Sequence, residues 1–279
     1  MALLLAGCND MDELRRELPE DFSIDAITDI SGLTYSEIEN LPIDDYQKEN
    51  MRRNGGMLIN TTVSMTNANQ AYDYVDLYLT TDESYLPPFE DGYLPNYGGE
   101  WGEVIQIDYL HSEHPLFYLY YYGMDRWTWG EEKLYGKMSL ELWNSDFPGF
   151  VDDCLKSDGY TQKYSSVISF QLPRVVLRDC FTNGIGNGLY MSFVVVLSDE
   201  DAWRVEEGFQ GGFCYSQTDE LPDMTDGVVY SSEEFYNGNT FFAINTIVQS
   251  LQAGTYYLRG FVTLGGEPVY TPVHKVIVE

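Results

Sequence analysis

Cations are scarce in this chain. Its 279 residues carry 15 Lys and Arg against 45 Asp and Glu, a formal net charge of −30. A phosphate backbone would be repelled at every approach, which excludes nucleic acid as a partner. No apolar run comes near the roughly 20 residues that a membrane-spanning helix needs. Histidine is rare too, with only His111, His114 and His274, and no GxSxG elbow presents a serine nucleophile. Neither phosphate-loop signature occurs, and the run Gly184-Ile185-Gly186-Asn187-Gly188 reads as turn glycine between strands. The four cysteines, Cys8, Cys154, Cys180 and Cys214, include no CxxC pair and no Cys/His cluster for a structural zinc.

The remaining candidates for chemistry are weak. His111 and His114 flank Ser112-Glu113 on a turn, one ligand short of a metal site, and read as solvated. His274 reads as one face of the last strand rather than as a base. Acidic pairs such as Asp82-Glu83, Glu131-Glu132 and Asp152-Asp153 invite a comparison with the two carboxylates of a glycosidase. In so acidic a chain such pairs arise by coincidence, and solvated charge is the default reading. No EF-hand loop supports calcium. The expectation is a non-catalytic protein without cofactor or metal.

What is present is β text and aromatic side chains. Hydrophobic residues make up 44 % and aromatics 15 %, enough for a sizeable core. Residues 22–28, 57–65, 72–80, 102–110, 116–122 and 134–143 read as strands of a first half. Residues 167–172, 189–197, 211–215, 241–248, 256–262 and 269–278 read as strands of a second, with turns at Asn183-Gly184, Asn187-Gly188, Asn237-Gly238 and Gly265-Gly266. Residues 36–53 read equally as a helix or as a long connection. Thr81-Asp82-Glu83 returns as Thr218-Asp219-Glu220, Phe117-Tyr118-Leu119 as Tyr256-Tyr257-Leu258, and Tyr135-Gly136 as Tyr270-Thr271. A period near 137 means a duplicated domain, far longer than a solenoid repeat. Cys180 and Cys214 are the preferred disulfide pair if one forms, but small buried thiols are the stronger expectation.

The N-terminus carries an address. Leu3 to Gly7 form a short apolar run ending in small residues, and Leu5-Ala6-Gly7-Cys8 resembles a bacterial lipobox. Seven residues precede Cys8 and none is basic, as expected of a start codon placed too late. The resemblance implies that Cys8 is acylated with more than one chain, enough for stable anchoring. The acidic residues Asp10, Asp12 and Glu13 follow at once, and this cluster resembles the surface-export signal of Bacteroidetes lipoproteins. Thirteen acidic and three basic residues between Cys8 and Glu49 continue the acidic character.

The stretch Leu251 to Arg259 resembles the E–F corner of fibronectin type III domains, where a Tyr ring packs inward and its hydroxyl bonds upstream backbone. The resemblance gives that role to Tyr257, and to Tyr118 in the first copy. Together with Gly212 to Ser216, it is similar to the Ig/fibronectin-like modules of Bacteroidetes surface lipoproteins. The expected architecture is all-β: a signal remnant over 1–7, an acidic tether over 8–21, and tandem sandwiches over 22–155 and 160–279.

Function is then expected at the surface. Trp127 and Trp129 lie two apart with Arg126 beside them, so in a strand both rings share one face. Trp101 closes a long loop stiffened by Pro87, Pro88 and Pro95. Trp is mostly buried on average, so covering the sandwich ends is the first expectation for these rings. Exposed, they would give a platform for a sugar ring or a protein side chain. The reading is a lipid-anchored outer-membrane protein acting as a binding, adhesion or spacer module toward a protein or glycan. A glycan-binding lipoprotein of a polysaccharide-uptake system is the alternative, and a carboxylate-based glycoside hydrolase comes last.

Overall fold

The computed structural model describes residues 18–64, 74–83, 86, 103–109, 116–120, 133–143, 160–198, 209–231, 240–264 and 267–279. The first half contains β1 (Phe22–Asp29), α1 (Tyr35–Glu39), α2 (Asp45–Asn54), β2 (Gly56–Val63), β3 (Tyr74–Thr80), β4 (Glu103–Tyr109), β5 (Leu116–Tyr120), β6 (Lys133–Trp143), β7 (Tyr160–Tyr164) and β8 (Ile168–Gln171). The second contains β9 (Val175–Ile185), β10 (Gly188–Leu197), β11 (Phe209–Ser216), β12 (Gly227–Tyr230), β13 (Phe241–Val248), β14 (Gly254–Leu264), β15 (Val269–Tyr270) and β16 (His274–Val278).

The pairing orders of the two halves are the same. Sheet β1-β2-β5 has its counterpart in β9-β10-β13, and β4-β3-β6-β7 in β12-β11-β14-β15. In the first half β8 also pairs with β6, and in the second β16 also pairs with β14. Adding eight to each strand number converts one pattern into the other. First, second and fifth strands form one sheet, and third, fourth, sixth, seventh and last form the other. That antiparallel order is the Ig-like sandwich. The chain is all-β with an Ig-like fold, and the expected duplication is visible as topology.

The topology corrects the expected register of the repeat. Thr81-Asp82-Glu83 and Thr218-Asp219-Glu220 both follow the third strand of their half, β3 and β11, so this match is equivalent in the fold. Phe117-Tyr118-Leu119 lies in β5, whose counterpart is β13, whereas Tyr256-Tyr257-Leu258 lies in β14. Tyr135-Gly136 in β6 and Tyr270-Thr271 around β15 are likewise not equivalent. Alternating Tyr and aliphatic residues suit any half-buried strand, which is why they matched out of register.

Contacts divide the chain into two compact units. One comprises 1–26, 59–117 and 133–170, the other 27–58, 118–132 and 171–279. The segment 27–58, placed by the sequence reading in the first sandwich, thus belongs with the second unit. Residues 160–170, placed in the second sandwich, instead contribute β7 and β8 to the sheet of β6. Ser139 faces Tyr164 and Trp143 faces Tyr160 across that pair.

The core of the second sandwich follows from period 2. On β10, Leu189, Met191, Phe193 and Val195 point inward, against Phe213 from β11, Ile244 from β13 and Leu258 from β14. β9 escaped the sequence reading because two features imitate breakers. Asp179 has φ 53, and Asp179 and Cys180 together oppose the single residue Phe193, a β-bulge. Asn183-Gly184 lies within β9, and the chain reverses at Gly186 and Asn187 instead. Gly186 there has φ 56, the left-handed conformation glycine adopts without cost.

Phe193 of one sheet lies on Gly260 of the other, where an added Cβ would stand 2.5 Å from the ring. Gly260→Ala is therefore expected to lower stability by about 1–3 kcal/mol through overpacking. Urea unfolding of the purified chain checks it; an unchanged midpoint would mean that the ring swings aside freely.

Candidate functional site

The described residues converge on one place in the second unit, where segment 30–54 packs on the sandwich. Two capping boxes start its helices. Thr34 and Glu37 cap α1 reciprocally, and Asp44 and Gln47 cap α2. Ile30, Ile38 and Met51 turn inward and are fully buried.

A buried cation fastens this segment. Arg259 of β14 donates from Nη2 to the Ser31 carbonyl at 2.6 Å, from Nε to the Thr271 carbonyl at 3.2 Å, and from Nη1 to the Pro222 carbonyl at 3.4 Å. Its guanidinium also lies over the Tyr270 ring, 4.2 Å from the centroid. Burial lowers its pKa, while Tyr270, Cys214, Asp29 and Asp223 favour the charged form.

Around it, Glu220 caps α1 from outside. Its carboxylate accepts from the Ser36 N–H at 3.0 Å and from the Tyr257 hydroxyl at 3.1 Å, and its carbonyl accepts from the Tyr35 N–H at 3.4 Å. Hydrogen bonds from Ser36 hold the Glu220 carboxyl below its ordinary range. The Tyr35 ring then lies between the Arg52 guanidinium and the Lys275 ammonium, each 5.2 Å from its centroid, with the Tyr257 ring at 5.8 Å. Arg52 is paired with Glu39 at 2.7 Å and with Glu49 at 3.5 Å.

Of these groups, Tyr35, Arg52 and Lys275 border an open groove of about 670 Å³, which Glu49, Asn183 and Glu279 line as well. His274 lies buried beneath it, and its Nε2–H donates to the Arg52 carbonyl at 3.0 Å. A carbonyl can only accept, which fixes the tautomer. Chemically the groove offers paired charges and an aromatic edge. Among the described residues, the carboxyls with displaced pKa, Glu37, Glu220 and Asp223, are all lowered by hydrogen bonds, the opposite of a carboxylic acid kept protonated for proton donation. No group of three His, Cys, Asp or Glu side chains suited to a metal ion occurs among the described residues.

The expected tyrosine corner exists, one residue away from its assigned place. Tyr256, not Tyr257, is buried, and its hydroxyl donates to the Gln252 carbonyl at 3.0 Å. Neighbours in a strand face opposite ways, so Tyr257 faces Tyr35 and Glu220 instead. In the first half Tyr118 lies in β5, between the buried Phe117 and Leu119. The strand in β14's position is β6, where the buried residue near the start is Leu134, which has no hydroxyl.

Cys8, Trp101, Arg126, Trp127 and Trp129 lie outside the described residues, as do His111, His114 and Cys154. Cys180 and Cys214 are both free and buried, so they form no disulfide with each other. Burial raises both thiol pKa values, that of Cys214 to about 12. Among the described residues no helix is long and apolar enough to cross a membrane.

Comparison with known proteins leaves the family open. No family model and no curated protein matches the chain. Solved structures with some likeness include an ICAM-5 D1–D4 ectodomain fragment, 12 % identical with a TM-score of 0.24, covering 92 % of this chain and 55 % of that one. A marsupial T cell receptor is 8 % identical with a TM-score of 0.23, covering 82 % and 70 % respectively. This chain thus spans about half the length of the ICAM-5 fragment. At such scores the Ig-like assignment rests on strand order.

Two outcomes test the site. Arg259→Met keeps the bulk but strands three carbonyls, and is expected to cost about 3 kcal/mol. Amide hydrogen exchange should rise first in residues 30–54; uniform protection would refute the clamp. Burial pushes the His274 pKa down to about 4, against the pull of its bond to Arg52. The unfolded ring binds its proton from about pH 6.5 downward, whereas the folded ring stays neutral. Stability is therefore complete above that value and falls by up to about 1.4 kcal/mol per pH unit toward pH 4. Urea midpoints between pH 6.5 and 5 should drop in the parent and change less in His274→Gln.

Proposed function

We propose that this chain is a lipid-anchored surface protein of a Bacteroidetes-like bacterium, acylated at Cys8, whose tandem sandwiches act as a non-catalytic binding or adhesion module. The observation that carries this reading is the duplicated strand order, β1 to β8 repeated in β9 to β16. Sandwiches strung in tandem present faces and loop ends to partners while their interiors are filled with side chains. The Leu5-Ala6-Gly7-Cys8 run and the acids after it support the anchor and its outward address. The paired charges of the Tyr35 groove suit holding a segment in place.

Metabolic labelling with palmitate in the native cell tests the anchor. The full chain should take up label and partition into detergent, and Cys8→Ser should lose both; label retained in that variant would overturn the anchor.

The glycan-binding reading stands second, on the spacing of Trp127 and Trp129 beside Arg126. Gel retardation by soluble polysaccharides, abolished in Trp127→Ala/Trp129→Ala, is its expected result. Absence of retardation by any polymer would turn the binding module toward a protein.

A further inference from the structure

We propose that two copies of this chain associate through the outer face of the sheet β9-β10-β13, sheet face against sheet face. The outward positions of this sheet carry large apolar groups. Phe181 is 58 % exposed, Phe241 56 % and Ile247 45 %. Tyr190 stands among them, opposite Ile247 on β13, with its ring 6.2 Å from that of Phe181. Between Ile247 and Phe241 the same face carries Ser192 opposite Asn245, which accepts from the Tyr190 hydroxyl at 3.0 Å, so the exposed apolar groups surround a small neutral polar centre. Large apolar groups gathered on one exposed face mark a contact surface.

Charge selects the occupant. Two copies at −30 each repel wherever carboxylates would meet. Yet GLYMSFVVVL of β10 and FFAINTIV of β13 contain no charged residue, nor does β9 beyond its bulge, FTNGI. Asp179, at the bulge itself, lies 3.8 Å from Arg178. A second copy can therefore seat this face on its own counterpart without placing one carboxylate against another. A basic partner would find on these strands only the Asp179 carboxylate, which Arg178 already neighbours.

Size sets the strength. Three strands about 4.8 Å apart and eight residues of about 3.4 Å each give roughly 400 Å² per copy. The total of about 800 Å² is below the roughly 1,200 Å² of a standard interface, so the pair is weak in dilute solution. It forms at the millimolar effective concentrations that tethering supplies. The contact itself does not require the anchor, so a failure here leaves the proposed acylation to its own test.

Sedimentation equilibrium of the full chain, up to roughly 1 mM, tests the pair. The average mass should climb from 31.9 kDa toward twice that value. Added salt should strengthen the association, because it screens repulsion between acidic copies. Phe181→Glu and Ile247→Glu should each weaken it at least about tenfold, or 1.4 kcal/mol, with unchanged thermal melting because both side chains are exposed. In a Cys8→Ser/Cys154→Ser background, Ser192→Cys, central on β10, should give a disulfide-linked dimer under oxidation that the background chain does not. A mass that stays at 31.9 kDa throughout, or an association untouched by both Glu substitutions or weakened by salt, would overturn the proposal.

Discussion

The second unit is organised around a guanidinium in a place where a charge is expensive. Arg259 lies in β14 between Leu258 and Gly260, in a stretch buried on both faces. Its guanidinium donates to carbonyls from three separate parts of the chain, Ser31, Pro222 and Thr271. A Lys ammonium is a point charge and could not span them. The planar fork of Arg, with donors aimed in several directions, can. With Ser31 held, the rest of segment 30–54 has few choices. α1 begins where Glu220 caps it, Tyr35 enters between Arg52 and Lys275, and the end of α2 brings the Arg52 carbonyl onto His274.

Much of the fold was legible as alternation. Strands such as β10, with Leu189, Met191 and Phe193 inward, declare period 2 in plain residues. β9 did not, because a bulge spends an extra residue and breaks the period at Asp179. β7 and β12 are short, and YTQKY and GVVY carry too few residues to establish a pattern. Duplication was legible, but its register was not. Tyr-rich triplets recur in any half-buried strand, and only the pairing order tells which strand corresponds to which.

The site was less legible, for two different reasons. The helices of segment 30–54 had a local signature that could have been read, since Thr34 with Glu37 and Asp44 with Gln47 are both capping boxes. Arg259 had a weaker one, a single cation in the apolar run Leu258 to Leu264. The partners of that cation, however, lie as far as 228 residues away in sequence, and no local pattern encodes such a contact. The tyrosine corner shows the same limit at the smallest scale. In Tyr256-Tyr257 the sequence offers two candidates, and one step along a strand exchanges the core for the surface. Burial of Tyr256 and its bond to Gln252 decide between them.

Acidity then decides where such a molecule can touch anything. Residues 1–159 hold a net charge of −22 and residues 160–279 only −8. Repulsion between neighbouring molecules falls with separation over a Debye length of about 8 Å at physiological salt. Two copies are therefore kept apart through the acidic half and least opposed along strands that carry no charge. β10 and β13 are such strands, and they lie side by side in one sheet with their register intact from Leu189–Val248 to Val196–Phe241. The physics that keeps most of the chain in water thus leaves this sheet face uncharged, and the proposed contact between copies follows from the charge distribution as much as from Phe181, Phe241 and Ile247 themselves.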